Sequence, residues 1–444
     1  MSASIYDSAM FRDLFLDREM ATLFTDTAEL RAMLLVWGAL AQAQAAEGLI
    51  PEVSAKAIQR AAMEIQVDPA ALAKATGQNA VVVPALVTTF REELKAPEHA
   101  QWLHYGATSQ DIMETGLVLR LRQVLALYET RLIATINALG RQAEAHADLP
   151  MAGRTYGQVA TPTTFGAVLA SWGSPLIELV DQLAVVKANL LKVSLSGAAG
   201  TLSAMEDKGP AVRAGLAKGL GLSDPGQSWH SARHPIAGLA AWITLVTGTL
   251  AKMAEDLGLM TQTGLGEVRL PSAGGSSTMP QKQNPVMPSV MVAIASHVAG
   301  LNSVMQGAIV HRQQRDGAAW ISEWMSLPQM CLGLGRSLIL AQELAEGIAP
   351  DPAAMLAQID DGTGLIYAEA LSFRLANTLP RPEAQSVVKA LCKEVLASGR
   401  PLPELAAAAY PEVDLSNLFA PAFQLGTAPA EARAFASAAS RVAK

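Results

Sequence analysis

The sequence is poor in charge, in aromatic side chains and in thiols. Charged residues make up 16% of the 444 residues and aromatic residues 5%, and the formal net charge is −7. It contains no Lys/Arg cluster and no basic stretch interleaved with aromatics, which disfavours binding to nucleic acid or to an anionic membrane. Cys331 and Cys392 are the only cysteines. They give neither a disulfide framework nor a metal-site spacing, so we expect the reducing environment of the cytoplasm.

Neither a signal peptide nor a membrane anchor is expected. The stretch 1–15 meets charged residues too early for a signal peptide. Residues 283–310 contain no Asp, Glu, Lys or Arg and are long enough to span a bilayer, but polar residues such as Asn284 and His297 interrupt them. No second uninterrupted span occurs, because 236–251 is too short. Helices that are apolar on all sides because they lie inside a large bundle fit this pattern better.

The residues that are abundant favour helices. Half of the chain is hydrophobic, and Ala and Leu dominate over the β-branched residues, so we predict an all-α protein. A chain with so few charges would expose large apolar patches as a monomer, so we also expect an oligomer. The apolar periodicity predicts helices over the following ranges: Thr27–Ala46, Ser54–Ile65, Val81–Leu94, a long helix from near Asp111, Phe165–Leu191, Ile236–Gly264 and Val290–Val310.

A polar loop between two very apolar segments is the most informative stretch. Leu270–Ser289 reads LPSAGGSSTMPQKQNPVMPS, and Lys282 is its only charged residue. Its glycines and prolines exclude a regular helix and a central strand. Such a composition is also that of an ordinary turn. Because the loop joins two segments that should be buried, we interpret it as a loop that performs chemistry.

The loop also resembles the signature of a known superfamily. Gly275–Pro285 matches every fixed position of GSSxMPxKxNP, which is typical of the fumarase/aspartase superfamily. The resemblance implies a Ser of this loop as catalytic acid or base, with Ser276 preferred over Ser277. Lys282 then supplies positive charge, and Asn284 contacts the substrate.

The same resemblance implies a three-domain, nearly all-helical subunit with a long central bundle that forms a homotetramer. Active sites shared between subunits and the absence of any metal or organic cofactor are also implied. We place the domains at 1–103, 104–348, with the signature loop 270–289, and 349–444. The last boundary coincides with a shift to short, Ala-rich and proline-interrupted helices.

A second motif lies at a predicted helix start. His104–Asp111 reads HYGATSQD, and Thr108 or Ser109 can cap the helix that follows. A helix N-terminus offers free N–H groups and partial positive charge, which suit a carboxylate ligand. A simple N-cap would explain the residues equally well. The stretch resembles the first conserved segment of the superfamily, which implies substrate binding by His104, Thr108 and Ser109.

A third segment departs from part of the superfamily. Gly153–Gln158 resembles the second conserved segment, but Tyr156 stands where fumarase-like and adenylosuccinate-lyase-like members carry a His. That His acts on the departing group, so its replacement disfavours those chemistries, and cycloisomerases of the superfamily also lack it. Thr155 and Gln158 remain as hydrogen-bond partners for the substrate. Downstream, Arg315 is either a bidentate carboxylate clamp or a solvated surface Arg.

These residues predict the reaction. Hydroxyls, amides and two cations, without metal ligands or a phosphate loop, suit a small polycarboxylate substrate. A carboxylate attacks as an anion without a base, so intramolecular addition to a conjugated double bond needs no second acid/base partner. The chain resembles the bacterial 3-carboxy-cis,cis-muconate cycloisomerases, which implies lactonisation of that substrate in protocatechuate breakdown. The alternatives are a fumarate-releasing adenylosuccinate- or argininosuccinate-type lyase and a non-catalytic scaffold. The preferred 3-substituent, carboxylate or sulfonate, stays open.

Overall fold

A computed structural model describes residues 4–442 and shows a mainly helical chain. The helices are α1 (Arg12–Phe15), α2 (Arg18–Thr22), α3 (Asp26–Ala46), α4 (Glu52–Glu64), α5 (Pro69–Asn79), α6 (Val83–Leu94), α7 (Pro97–Ala100), α8 (Ser109–Ala145), α9 (Phe165–Leu190), α10 (Gly209–Leu220), α11 (His234–Met260), α12 (Val286–Gly307), α13 (Gly317–Gly347), α14 (Pro352–Ile359), α15 (Ala368–Leu375), α16 (Arg381–Ser398), α17 (Leu402–Ala409) and α18 (Ala428–Val442). Three short 3-10 segments lie at Ser203–Lys208, Leu365–Tyr367 and Pro421–Phe423.

The strands form two small antiparallel pairs. Strand β1 (Pro150–Thr155) pairs with β2 (Gln158–Thr164), and β3 (Val268–Arg269) pairs with β4 (Ala349–Pro350). The first pair is a hairpin, which the sequence analysis did not predict. Its turn residues, Tyr156 and Gly157, both have positive φ angles, 52° and 74°. Two such residues form the tight turn whose twist matches a hairpin, a turn usually marked by Asn-Gly or Asp-Gly rather than Tyr-Gly.

The chain divides into two compact units, and the division cuts five of the long helices. Unit 1 comprises Met1–Thr130, Leu179–Gly248 and Ala293–Ser337, and unit 2 comprises Arg131–Glu178, Thr249–Val292 and Leu338–Lys444. The helices that contribute residues to both units are α8, α9, α11, α12 and α13. The three domains expected from the sequence remain a prediction.

Unit 1 has a core built by its N-terminal helices. Helix α3 packs against α4 and α10, and its Met33 and Trp37 are almost fully buried. The start of α3 is stabilised by Thr25, whose hydroxyl accepts from the backbone N–H of Ala28 at 3.2 Å. At Gly116, helix α8 lies against the backbone of α3, since a Cβ there would be in van der Waals contact with the Met33 nitrogen at 3.4 Å. This core supports the segment 104–111 at the start of α8.

Unit 2 holds the hairpin on C-terminal elements. Ala152 of β1 lies in one apolar cluster with Ile359, Ile366 and Tyr367, and α14 packs against β1. A second cluster is formed within 371–418. The hairpin is therefore anchored at its base, while its turn is exposed.

Candidate active site

Asp111 organises the start of α8. Its carboxylate accepts from the backbone N–H of Thr108 at 3.0 Å, of Ser196 at 2.8 Å and of Gly197 at 3.0 Å, and from His230 Nε2 at 2.8 Å. The bond to Thr108 is one half of a capping box, in which the third helical residue closes the N-cap backbone. Asp111 is 1% exposed. The helix start and the turn at 196–197 are thus fixed by one buried side chain.

His104 is a neutral ring held by a tryptophan. Trp37 Nε1 donates to His104 Nδ1 at 3.1 Å, and the two rings meet edge to face at 5.8 Å. The pKa of His104 is lowered to about 4, mainly by burial and to a lesser extent by Arg91, against an opposing effect of Asp111. Because Nδ1 accepts, the ring proton lies on Nε2. His104 therefore offers one donor, the Nε2–H group, to a ligand.

The backbone around His104 is unusual. His104 has a φ of 64° and Gly106 a φ of 68°, a region that suits glycine. A Cβ at Gly106 would meet the Cε and Cγ atoms of Met205 at 2.9 Å. Gln44 Nε2 donates to the Tyr105 carbonyl at 2.6 Å. Neighbouring elements therefore hold this strained turn in place.

Arg315 is held by neutral acceptors. Its Nε donates to Gln110 Oε1 at 2.7 Å, and its Nη2 lies 3.3 Å from the Ala198 carbonyl and 3.5 Å from Thr108 Oγ1. Among residues 4–442, no carboxylate lies within ion-pair distance of this guanidinium. Its charge is therefore available to an anionic ligand next to Thr108, as expected for a carboxylate clamp.

Arg233 in the same unit is paired with two carboxylates. Its Nε and Nη2 donate to the two oxygens of Glu323 at 2.9 and 2.6 Å, and its Nη1 lies 2.7 Å from Glu114 Oε1. Burial raises the pKa of the Glu114 carboxyl, and Arg233 opposes that shift. Trp229 covers the guanidinium at 5.1 Å from the ring centroid. The arrangement is that of a structural ion cluster.

In unit 2 an ion pair joins the hairpin to the segment before the signature loop. Arg154 donates through Nη1 and Nη2 to the two oxygens of Glu267, at 2.9 and 3.0 Å. Glu267 is 0% exposed, and its backbone bonds to Met260 and Asp351. Thr155 and Gln158 face each other at the end of the hairpin and are exposed, and Tyr156 between them is fully exposed.

The signature loop is closed at its base by a two-bond rung. Gly274 N donates to the Asn284 carbonyl at 2.9 Å, and Asn284 N donates back to the Gly274 carbonyl at 2.8 Å. Asn284 Nδ2 also reaches the Gly275 carbonyl at 3.4 Å. Position 274 requires glycine, because a Cβ would lie 2.5 Å from a methyl of Val286. The nine residues between the rung partners carry Ser276, Ser277 and Lys282.

The hydroxyl of Ser276 is held by the backbone of the loop. Ser276 Oγ accepts from the backbone N–H groups of Met279 at 3.1 Å and Thr278 at 3.3 Å. Two N–H donors on one oxygen favour its negatively charged form. Lys282 is exposed, and no carboxylate within the described part of the chain pairs with its ammonium.

Comparison with known proteins identifies the family. The lyase family model matches residues 17–300. A 3-carboxy-cis,cis-muconate cycloisomerase from Pseudomonas putida is 40% identical over 400 residues, which cover 88% of this chain and 94% of the relative. The chain belongs to this lyase family. Its membership confirms the resemblance to the fumarase/aspartase superfamily and the all-α prediction.

Two further similarities extend over nearly the whole lyase chain. The crystal structure of the 3-carboxy-cis,cis-muconate lactonizing enzyme from Pseudomonas putida has a TM-score of 0.93 at 35% identity, covering 98% of this lyase and 100% of that chain. A nitrosuccinate lyase from Streptomyces davaonensis is 34% identical over 96% of this chain and 94% of the relative. The fold is thus shared by relatives with different names.

The predicted site residues of this lyase fall into both units. Unit 1 contains His104, Thr108, Ser109 and Arg315, and unit 2 contains Thr155, Gln158, Ser276, Ser277, Lys282 and Asn284. Within unit 1 the fold brings Arg315 to Thr108. Within unit 2 it places Thr155 opposite Gln158 and fixes Asn284 at the base of the loop.

Sequence analysis missed four buried polar residues around the unit 1 site. Gln110, Glu114, His230 and Glu323 connect Arg315, Asp111 and Arg233 to one another. The one local signal was the spacing of Thr108 and Asp111, which is that of a capping box. Pairings across 90 positions, such as Arg233 with Glu323, have no local signature.

The two most apolar long helices of this lyase are not completely covered. Helices α11 and α12 are long and apolar enough to cross a membrane by length and composition. In the most apolar 18-residue stretch of each helix, 56% of α11 and 33% of α12 is buried. Core helices of large helical proteins have the same composition. Among residues 4–442, no group of three or more His, Cys, Asp or Glu side chains is arranged to hold a metal ion.

Proposed function

We propose that this lyase is a 3-carboxy-cis,cis-muconate cycloisomerase, which converts its substrate to a carboxymuconolactone in protocatechuate breakdown through the β-ketoadipate pathway. The observation that carries the proposal is 40% identity to a cycloisomerase over nearly the full length of both chains. The structural similarity at a TM-score of 0.93 supports it. The enzyme is an intramolecular lyase that works in the cytoplasm, consistent with the two free thiols of Cys331 and Cys392.

The chemistry requires one proton transfer to carbon. One substrate carboxylate attacks the conjugated double bond, a C–O bond forms, and the π electrons move to the carbon next to a second carboxylate. That carbon then takes a proton. The attacking group is already an anion near neutral pH, since carboxylic acids have pKa values of about 4. No base is needed to activate it, which fits Tyr156 in the place where other superfamily members carry a His.

Ser276 is the proton donor in this scheme. Its hydroxyl gives its proton to the carbon and becomes an alkoxide, which Thr278 N–H and Met279 N–H stabilise. Ser277 is the second catalytic candidate. The electrons placed on the carbon next to the second carboxylate make that group a dianion before the carbon is protonated. Lys282 supplies positive charge to this dianion. A loop that excludes water strengthens each of these interactions.

The remaining residues bind carboxylates. Arg315 forms a charge-assisted pair with one carboxylate, supported by the hydroxyls of Thr108 and Ser109 at the start of α8. His104 donates its Nε2–H group. Thr155, Gln158 and Asn284 donate or accept hydrogen bonds at the hairpin and the loop. The substrate is accordingly a small polycarboxylate, and no cofactor takes part in the scheme.

We also propose a homotetramer whose sites contain residues of several subunits. Support comes from α12, because two thirds of its most apolar 18-residue stretch is not buried within one chain. Apart from the adjacent residues and the backbone of α12 itself, nothing lies within 4 Å of the space that a Cβ would take at Gly300 or Gly307, so a neighbouring helix can approach these positions closely. Light scattering of the purified protein tests this assembly, and a monomeric mass at micromolar concentration would refute it.

The decisive experiment is incubation with 3-carboxy-cis,cis-muconate. We expect loss of the ultraviolet absorbance of the conjugated diene without release of fumarate. The similarity to nitrosuccinate lyase favours a second candidate, a lyase acting on a substituted succinate. Turnover of adenylosuccinate, argininosuccinate or nitrosuccinate with no turnover of the muconate would establish that class instead. Absence of turnover with all of them would indicate a scaffold.

A further inference from the structure

The orientation of Arg315 depends on one short hydrogen bond. Gln110 Oε1 accepts from Arg315 Nε at 2.7 Å, whereas the contacts of Nη2 with Ala198 and Thr108 are 3.3 and 3.5 Å long. A guanidinium presents a carboxylate with two parallel donors only if its plane is fixed. Gln110 is therefore the strongest constraint on this plane within the unit.

The amide of Gln110 can adopt only one orientation. Its Nε2 donates to Glu114 Oε1 at 2.8 Å and to the His230 carbonyl at 3.0 Å. Both partners are acceptors, so the NH₂ group must face them and the amide oxygen must face Arg315. Gln110 is 0% exposed, and water does not compete for these bonds.

The two acceptors are fixed in turn by charged groups. Glu114 lies against Arg233 at 2.7 Å, and Arg233 is held by Glu323. His230 is held by Asp111 at 2.8 Å. An ion pair and a series of hydrogen bonds thus connect the Arg233 cluster to Arg315, and Gln110 is the member that contacts Arg315.

We infer that Gln110 is a positioning residue that orients Arg315 for a substrate carboxylate while leaving its positive charge uncompensated. This inference rests on the proposed function, because it assigns Arg315 to the substrate. An amide accepts the Nε–H group without adding charge. A carboxylate in the same place would neutralise Arg315, and it would also face the acceptors of Glu114 and His230. Glutamine accepts from Arg315 without adding charge and donates to Glu114 and the His230 carbonyl, and a glutamate carboxylate does neither.

Two variants test the role. Gln110→Met keeps the side-chain length but removes the acceptor, and we expect KM for 3-carboxy-cis,cis-muconate to rise about tenfold with kcat changed by less than about threefold. Gln110→Glu adds a competing carboxylate, and we expect KM to rise about 100-fold. An increase in KM alone marks lost substrate binding, whereas a misfolded fraction lowers kcat.

Tyr128→Phe is the matched control. Tyr128 lies on the same helix, about five turns beyond Gln110, and its buried hydroxyl donates to the Cys331 carbonyl at 2.8 Å. Its loss removes one buried hydrogen bond to a carbonyl without touching Arg315. We expect a lower Tm and an unchanged KM. Should Gln110→Met fail to fold, Gln110→Glu still tests the inference, because an unchanged KM in that variant would show that the group at this position does not affect Arg315.

A double-mutant cycle with Arg315→Met separates the possible outcomes. If Gln110 acts through Arg315, Gln110→Met should change KM by less than about twofold once Arg315 is gone. The same tenfold increase in both backgrounds would overturn the positioning role while leaving the cycloisomerase activity established. A wild-type protein without turnover of the muconate would refute the proposed function itself.

Discussion

Arg233 and Arg315 lie in the same unit and are connected through Gln110 and Glu114, yet their charges have opposite fates. Arg233 is 1% exposed and meets the carboxylates of Glu114 and Glu323. Arg315 is partly exposed and meets an amide, a carbonyl and a hydroxyl. The charge that a folded arginine can offer to a ligand therefore depends on its partners more than on its depth.

The lysines of unit 2 repeat the contrast. Lys252 pairs with Asp256 one helical turn away on α11, whereas Lys282 in the signature loop has no carboxylate partner among residues 4–442. Without such a partner the ammonium keeps its charge available to an anionic ligand. Lys282 lies in the segment that matches the superfamily signature, as expected of a group kept for substrate.

Removing Arg233 should have the largest effect of the four changes, on the free energy of unfolding. A small effect would contradict the contrast drawn between Arg233 and Arg315. Arg233→Met leaves Glu114 and Glu323 buried without a counter-ion, so we expect the free energy of unfolding to fall by about 3–5 kcal/mol. Denaturant titration measures it. Replacing all three residues together by Met or Leu should recover most of the loss. An unchanged midpoint in Arg233→Met would show that the cluster is not structural.

Removing Lys282 should act on the rate rather than on stability. Lys282→Met removes positive charge from the developing dianion, and we expect kcat to fall about 10²–10³-fold, or roughly 3–4 kcal/mol. Steady-state kinetics on the purified protein measures it. Lys252→Met, which removes the paired lysine of the same unit, should leave kcat unchanged. Equal effects of both variants would end the distinction between paired and unpaired lysines.

Removing Arg315 should act on binding. Arg315→Met eliminates a charge-assisted contact, and we expect KM to rise about 100-fold at most, roughly 1.5–3 kcal/mol, with a smaller change in kcat. Arg312→Met is the control, since Arg312 is three residues away and is paired with Asp316 at 2.5 Å. An unaffected KM in Arg315→Met would make this arginine a surface residue, the other interpretation that the sequence allowed.

The smallest effect concerns His104, a group whose charge is suppressed rather than compensated. Its pKa of about 4 in the folded chain lies below the usual value of about 6.5, so the unfolded chain binds more protons between these values. The contribution of neutral His104 to the free energy of unfolding is fully present above pH 6.5 and is lost as the pH falls towards 4. From pH 7 to 5.5 the loss should be about 1 kcal/mol. His104→Asn, measured by denaturant titration, should flatten this part of the profile, and an equally steep profile would contradict the assignment.

Five of the six helices that are longer than 20 residues within 4–442 could be predicted from the sequence, because their apolar period is local information. The prediction Thr27–Ala46 differs from α3 by one residue, and Val290–Val310 describes most of α12. The hairpin at 150–164 was missed because its turn carries Tyr at a positive φ and its strands are held by contacts with residues 359–367. Propensity cannot register such tertiary support.

The candidate site divides in the same way. Ser276, Lys282 and the segment 104–111 were found because they form contiguous motifs. Gln110 and Asp111 belong to a recognised motif, but their roles depend on His230, Glu114 and Arg315, which are up to 205 positions distant in sequence. The partners of a charge, which decide its function here, are the part that the chain order does not reveal.

The rung between Gly274 and Asn284 sets the boundary for redesigning the signature loop. Since two backbone bonds already bring the ends of the nine intervening residues together, most of the entropy of loop closure is lost before any ligand arrives. Changes in loop length or sequence between positions 275 and 283 should therefore remain confined to the signature loop and leave the helix that begins at Val286 unchanged. Grafting specificity onto this enzyme is best attempted inside that rung, with its glycine left untouched.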